Sequence, residues 1–103
     1  MRDELEVAEG TRYQSSDEVL VYQITTTNWA ASPTVGTVVV YDESVDEVVT
    51  DTVMSTGAHS DSGDVITLKP LSALTVDHSY RVEVQFAVGS NTWECFFRVR
   101  CVR

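Results

Sequence analysis

The amino-acid sequence predicts an all-β fold, a sandwich or barrel of about seven antiparallel strands in one domain. Three observations lead there. Val and Thr dominate the 103 residues, and β-branched side chains pack well on a pleated surface while losing χ1 freedom in a helix. Two long C-terminal runs alternate apolar and polar residues with period two. No run of useful length shows a helical period, and turn-rich loops recur between short apolar segments.

Residues 1–16 carry Asp3, Glu4, Glu6 and Glu9 with few large apolar groups. They read as a flexible acidic arm, or as a short edge strand through Leu5 and Val7, ahead of a sandwich over 17–103. From Val19 to Ile24 a strand turns Leu20, Tyr22 and Ile24 to one face and Val19 and Val21 to the other. A loop with Trp29 follows over 25–36. Val38 to Tyr41 is the next strand, Asp42 to Asp46 a hairpin turn, and Glu47 to Met54 its returning strand. Ser55 to Asp64 is a polar loop. Val65 to Leu68 is a short strand ended near Pro70, which has no N–H for a ladder.

In Tyr80 to Val88 the inward set is Tyr80, Val82, Val84, Phe86 and Val88. In Asn91 to Val102 it is Trp93, Cys95, Phe97, Val99 and Cys101. The inward residues are even-numbered before the turn and odd-numbered after it. Facing pairs must therefore sum to an odd number, so the loop holds two or four residues unless a bulge intervenes.

The length suits one domain, and 43% hydrophobic residues supply a core that needs no metal or disulfide. Sixteen acidic against seven basic side chains give a net charge of −9. Such a polyanion repels phosphate backbones and anionic lipid, so the expected partners include neither nucleic acid nor membrane. No apolar run is long enough for a membrane span. Met1-Arg2-Asp3-Glu4 opens no apolar segment of a signal peptide, and the expectation is cytoplasmic synthesis. Cys95 and Cys101 lie on one strand, about 20 Å apart at ~3.3 Å per residue, whereas a disulfide needs roughly 4.4–6.8 Å. They cannot bridge each other, and two buried free thiols suit a reducing compartment.

One stretch carries a resemblance. Val65-Ile66-Thr67-Leu68-Lys69-Pro70, then Leu71, Leu74 and Tyr80-Arg81-Val82-Glu83-Val84, resembles bacterial and phage immunoglobulin-like, fibronectin III-like, β-sandwich modules. It implies an immunoglobulin-like sandwich of about seven strands. It also implies a tyrosine corner, with Tyr80 packed inward beside Leu74 and its hydroxyl bonded to upstream backbone. An ordinary core tyrosine is the alternative. The inter-sheet disulfide and third-strand Trp of antibody domains are missing, which excludes an antibody-type domain. Asp17 to Tyr22 leading into Thr26 to Trp29 is similar to small virion-associated proteins of tailed bacteriophages, the head decoration and tail or fibre adaptor proteins. That likeness implies a virion location and a protein partner, either other virion subunits or a second copy in a homo-oligomer.

Little in the chain points to catalysis. His59 and His78 fall in polar loops, no G-x-S-x-G elbow or phosphate-binding Gly loop is present, and the Cys and His spacing is not that of a zinc site. No cofactor is implied. Asp42 and Asp46 on one hairpin, and Asp61 and Asp64 on one loop, are the carboxylates from which a calcium site would be drawn, though neither cluster has the spacing of a calcium loop. Arg81, Arg98 and Arg100 share the outward face of the last hairpin with Phe96. Cross-strand pairing with Glu83 and Glu94 accounts for them; so does a docking surface, since an exposed Phe ringed by Arg has the composition of an interface hot spot. Trp29 is a second contact candidate, and Trp93 a structural residue of the core. The expected function is non-catalytic and structural, through protein–protein contacts. The alternative is a carbohydrate- or surface-binding module of a bacterial extracellular protein, with Trp29 and Trp93 as stacking platforms.

Overall fold

The computed structural model describes residues 11–26 and 31–103. Its strands are β1 (Arg12–Gln14), β2 (Gln23–Thr25), β3 (Thr34–Asp42), β4 (Glu47–Val48), β5 (Ser60–Ser62), β6 (Val65–Thr67), β7 (Ser79–Val88) and β8 (Asn91–Cys101). The single helical turn α1 spans Thr50–Val53. The chain is all-β, in two sheets of order β1-β8-β7-β3-β4 and β2-β6-β5. All pairings are antiparallel except that of β1 with β8. The described residues hold eight strands in place of about seven, and the larger sheet is mixed. Among them no helix is long and apolar enough to cross a membrane.

The β7–β8 hairpin organises the molecule because it has the longest unbroken alternation. Its register runs from Ser79↔Arg100 to Val88↔Asn91, so each pair sums to an odd number and two residues, Gly89 and Ser90, make the loop. Gly89 has φ +59, at the first central position of the turn, where a glycine fits the twist of a two-residue hairpin. Gly63 plays the same part between β5 and β6, with φ +58. From the hairpin, Tyr80, Val82, Val84, Phe86, Cys95, Phe97, Val99 and Cys101 enter one buried cluster. Val38 and Val40 of β3 join them, and Ile24, Ile66, Leu68, Leu71 and Leu74 meet them from the smaller sheet and its corner.

Several expectations need correction. The returning strand over 47–54 stops after Val48. At that point the Thr50 hydroxyl accepts the Val40 N–H (2.9 Å), closing the β3 edge with a side chain. The backbone then coils as α1 and rolls Val53 and Met54 into the core. The polar loop 55–64 contains β5, a strand whose three residues are all exposed and which no apolar pattern could announce. β1 forms at Arg12–Gln14, while the edge strand expected through Leu5 and Val7 lies, with the rest of 1–10, outside the described residues. The Val19–Ile24 segment alternates as expected, with Val19 and Val21 exposed and Ile24 buried. Its regular pairing is shorter, reduced at Leu20 to a bridge with Leu71.

Candidate functional site

The outward face of the larger sheet gathers three arginines, Arg81, Arg98 and Arg100. Register places Val48, Tyr41, Arg81 and Arg98 in one row across β4, β3, β7 and β8, with Glu83 and Phe96 in the next. On the other side of that row, Arg100 stands between Ser79 and Tyr13. Glu43, from the turn after β3, reaches over the row and binds both guanidinium groups. Arg81 Nη1 lies 3.2 Å from Glu43 Oε2, and Arg98 Nε 3.2 Å from Glu43 Oε1. Arg81 Nε lies 2.9 Å from Glu83 Oε2. The Arg81 guanidinium also sits 4.7 Å from the centre of the Tyr41 ring, and that of Arg98 5.2 Å from the Phe96 ring. The arginines are thus held in fixed positions by charge and by ring faces.

Phe96 departs from expectation. It lies on the outward face as the alternation requires, but it is only 3% exposed, so it is not a projecting anchor. Period two assigns a residue to a face and is silent about what covers that face. The exposed apolar groups of the face are instead Val48 at 62% and Tyr13 at 65%. Trp93 is the converse correction. It has the inward parity, opposite Phe86, yet it is 42% exposed. It lies close to the hairpin loop on β8, where β1, which pairs only with 99–101, does not reach. Trp29 lies outside the described residues.

The groups with chemical potential are committed to holding the fold. Asp42, on the inward parity at the end of β3, is buried; its Oδ2 is 2.6 Å from His78 Nδ1, and its Oδ1 accepts the Ser44 N–H. Asp61 accepts the Val35 N–H at 3.0 Å, and Asp64 the Ser32 N–H at 2.8 Å. Among the described residues no three His, Cys, Asp or Glu side chains come together as a metal site. His59 Nδ1 accepts the Lys69 N–H at 3.0 Å, and burial, then the nearby Lys69 charge, lower its pKa. Both cysteines are free and buried. Burial, with Glu94 adding to it, pushes the Cys95 thiol up to about 12, where it is no nucleophile at neutral pH.

At the corner before β7, the Tyr80 hydroxyl accepts the Thr75 N–H at 2.7 Å while its ring is buried with Leu74. A bond between the ring hydroxyl and upstream backbone is what a tyrosine corner requires.

A residue that sequence reasoning passed over is Gln14, 1% exposed at the end of β1. Its Nε2 donates to Leu71 O (2.7 Å) and Glu18 O (3.0 Å), and its Oε1 accepts from the Tyr22 hydroxyl (2.9 Å). One amide side chain ties β1, in the larger sheet, to the segments that precede β2 and follow β6 of the smaller one. A lone glutamine in a polar segment gives no sequence signal of this.

Comparison with known protein families, with curated proteins and with solved structures finds no match to the chain.

Proposed function

We propose that the chain is a non-catalytic structural module that works through protein–protein contacts, in the manner of a virion-associated decoration or tail adaptor protein of a tailed bacteriophage. The observation that carries the contact reading is the outward face of the larger sheet. There Tyr41, Arg81, Arg98 and Glu43 are fixed in place between the exposed Val48 and Tyr13. A surface already ordered in the free protein loses little side-chain entropy on docking, so its contacts count more fully toward affinity. Aromatic and Arg groups are the types that dominate interface energetics.

The immunoglobulin-like reading draws support from the strand order. Lettering β1 to β8 as A, B, C, C′, D, E, F and G puts B-E-D against G-F-C-C′, the arrangement of such sandwiches. The bond from Thr75 to Tyr80 lies where the corner between E and F belongs. The eighth strand is then the short C′. The fold leaves function open, so the virion assignment rests on the likeness of 17–22 and 26–29. Density-banded particles released by the source strain test it: mass spectrometry should find the protein in many copies per particle, and its absence from them refutes the assignment.

A second reading, a carbohydrate- or surface-binding module, is favoured by one observation. Trp93 and Tyr13 both stand open to solvent, as stacking platforms must.

A further inference from the structure

We propose that a cleft beside β1 is a subsite for a neutral saccharide, a proposal that rests on the second reading and gives it a location. The cleft has a volume of about 410 Å³ and lies between the β1 end and the C-terminal segment, lined by Tyr13, Ser15, Asp17, Glu18, Val102 and Arg103 among others. That volume lies in the usual range for small-molecule sites, roughly 300–1,000 Å³.

Its walls are fixed by bonds that leave the functional groups available. Val102 N–H donates to Gln14 O at 3.0 Å, and Ser16 N–H to Arg103 O at 2.6 Å, so the two segments are laced together. The turn is closed by Glu18 N–H to Ser15 O (3.2 Å) and by Ser15 N–H to Glu18 Oε1 (2.7 Å). Gln14 Nε2 holds the Glu18 carbonyl from beneath. Glu18 is thereby spent on the turn. The side chains of Asp17 and Arg103 make no hydrogen bond or ion pair among the described residues, and the ring of Tyr13 is mostly exposed.

The lining selects a ligand class. An exposed phenol ring offers a π face to the C–H face of a pyranose. A carboxylate accepts from sugar hydroxyls, and a guanidinium donates to hydroxyl and ring oxygens. With Asp17 and Glu18 against Arg103, the cleft carries one excess negative charge, which selects against anionic sugars and phosphates. Val102 supplies an apolar wall for the remaining C–H groups. An apolar face, an acceptor and a donor around one open cleft match a neutral sugar ring. None of Tyr41, Arg81, Arg98 and Glu43 lines the cleft, which meets their face only at Tyr13.

Titrating the isotope-labelled full chain with maltotriose, cellotriose and chitotriose, and following amide NMR shifts, tests this. At least one sugar should shift residues 12–18 and 102–103, saturating in the millimolar range. Tyr13→Ala and, separately, Asp17→Asn should each weaken binding by about tenfold or more, with Tyr13→Phe retaining it. Both side chains are exposed, so the variants should give the spectrum of a folded protein. Shifts centred on Trp93 and abolished by Trp93→Ala overturn the cleft while keeping the second reading. Binding that survives Tyr13→Ala also overturns the cleft. No shift with any of the three sugars overturns both.

Discussion

Replacing Gln14 with Leu tests how the smaller sheet is fastened to the larger one. The substitution keeps side-chain volume close and removes both halves of the amide. Three hydrogen bonds are lost, to Leu71 O, Glu18 O and the Tyr22 hydroxyl. A net bond is worth about 0.5–1.5 kcal/mol, so the three together set a range of about 1.5–4.5 kcal/mol. Two considerations narrow it. Water can reach Glu18 O and the Tyr22 hydroxyl, both only partly buried, and replace part of the loss. The Leu71 carbonyl, on a fully buried residue, loses its side-chain partner and keeps only the Leu20 N–H. The expected destabilisation is therefore about 2–3 kcal/mol, a drop in Tm of about 8–24 °C at 4–8 °C per kcal/mol. Urea unfolding followed by tryptophan fluorescence measures it, with m unchanged. A cycle with Tyr22→Phe should be non-additive, because the two residues share one bond. A loss below about 0.5 kcal/mol, or strict additivity, would refute the network's role.

Three further outcomes follow from the same structure. Tyr80→Phe strands the Thr75 N–H and should cost about 1–3 kcal/mol by urea unfolding, while an unaltered midpoint would make Tyr80 an ordinary core residue. The pKa of His59 is lowered on folding, so the unfolded chain binds the proton more tightly. Its contribution to stability is complete above 6.5, the unfolded value, and is lost as pH falls from there through the folded pKa. NMR titration should give His59 a pKa below 6.5, and His59→Ala should remove that part of the pH dependence; a value above 6.5 contradicts the bond from Lys69. Finally, Cys95 and Cys101 should resist a thiol reagent at about pH 8 in the native protein and both react on unfolding, since attack requires an exposed thiolate. Prompt reaction of either in the native state would contradict their burial.

The features legible in the sequence are those that repeat. The alternation from Tyr80 to Cys101 carries the central hairpin, its parity excludes a three-residue loop, and the six-residue spacing in one strand keeps the two thiols apart. What escaped depends on single contacts. β5 is Ser60-Asp61-Ser62, held as a strand by pairing with β6 and not by any buried face. α1 interrupts an apolar segment because one threonine hydroxyl closes the β3 edge. Gln14 is held by the distant Leu71 carbonyl together with Glu18 and Tyr22, and no pattern marks that set. At the candidate site, parity placed Arg81, Arg98, Arg100 and Phe96 on one face, but Glu43 and Tyr41, which hold the arginines, come from β3 and the turn after it. The burial of Phe96 and the exposure of Trp93 follow from what covers each face of β8 at those positions, which a pattern along one strand does not encode.

The contact role of the larger sheet is tested most directly by reversing charge on it. Arg98→Glu places a carboxylate beside Glu43 on the outward face without touching the core cluster, and folding is verified by the amide spectrum. Binding of the variant to density-banded particles, measured against wild type by quantitative mass spectrometry, is the deciding quantity. The account predicts abundant wild-type protein on the particles and loss of the folded variant by about tenfold or more, since like charges at a docking face cost several kcal/mol. Equal occupancy of variant and wild type, or no wild-type protein on the particles, would contradict it.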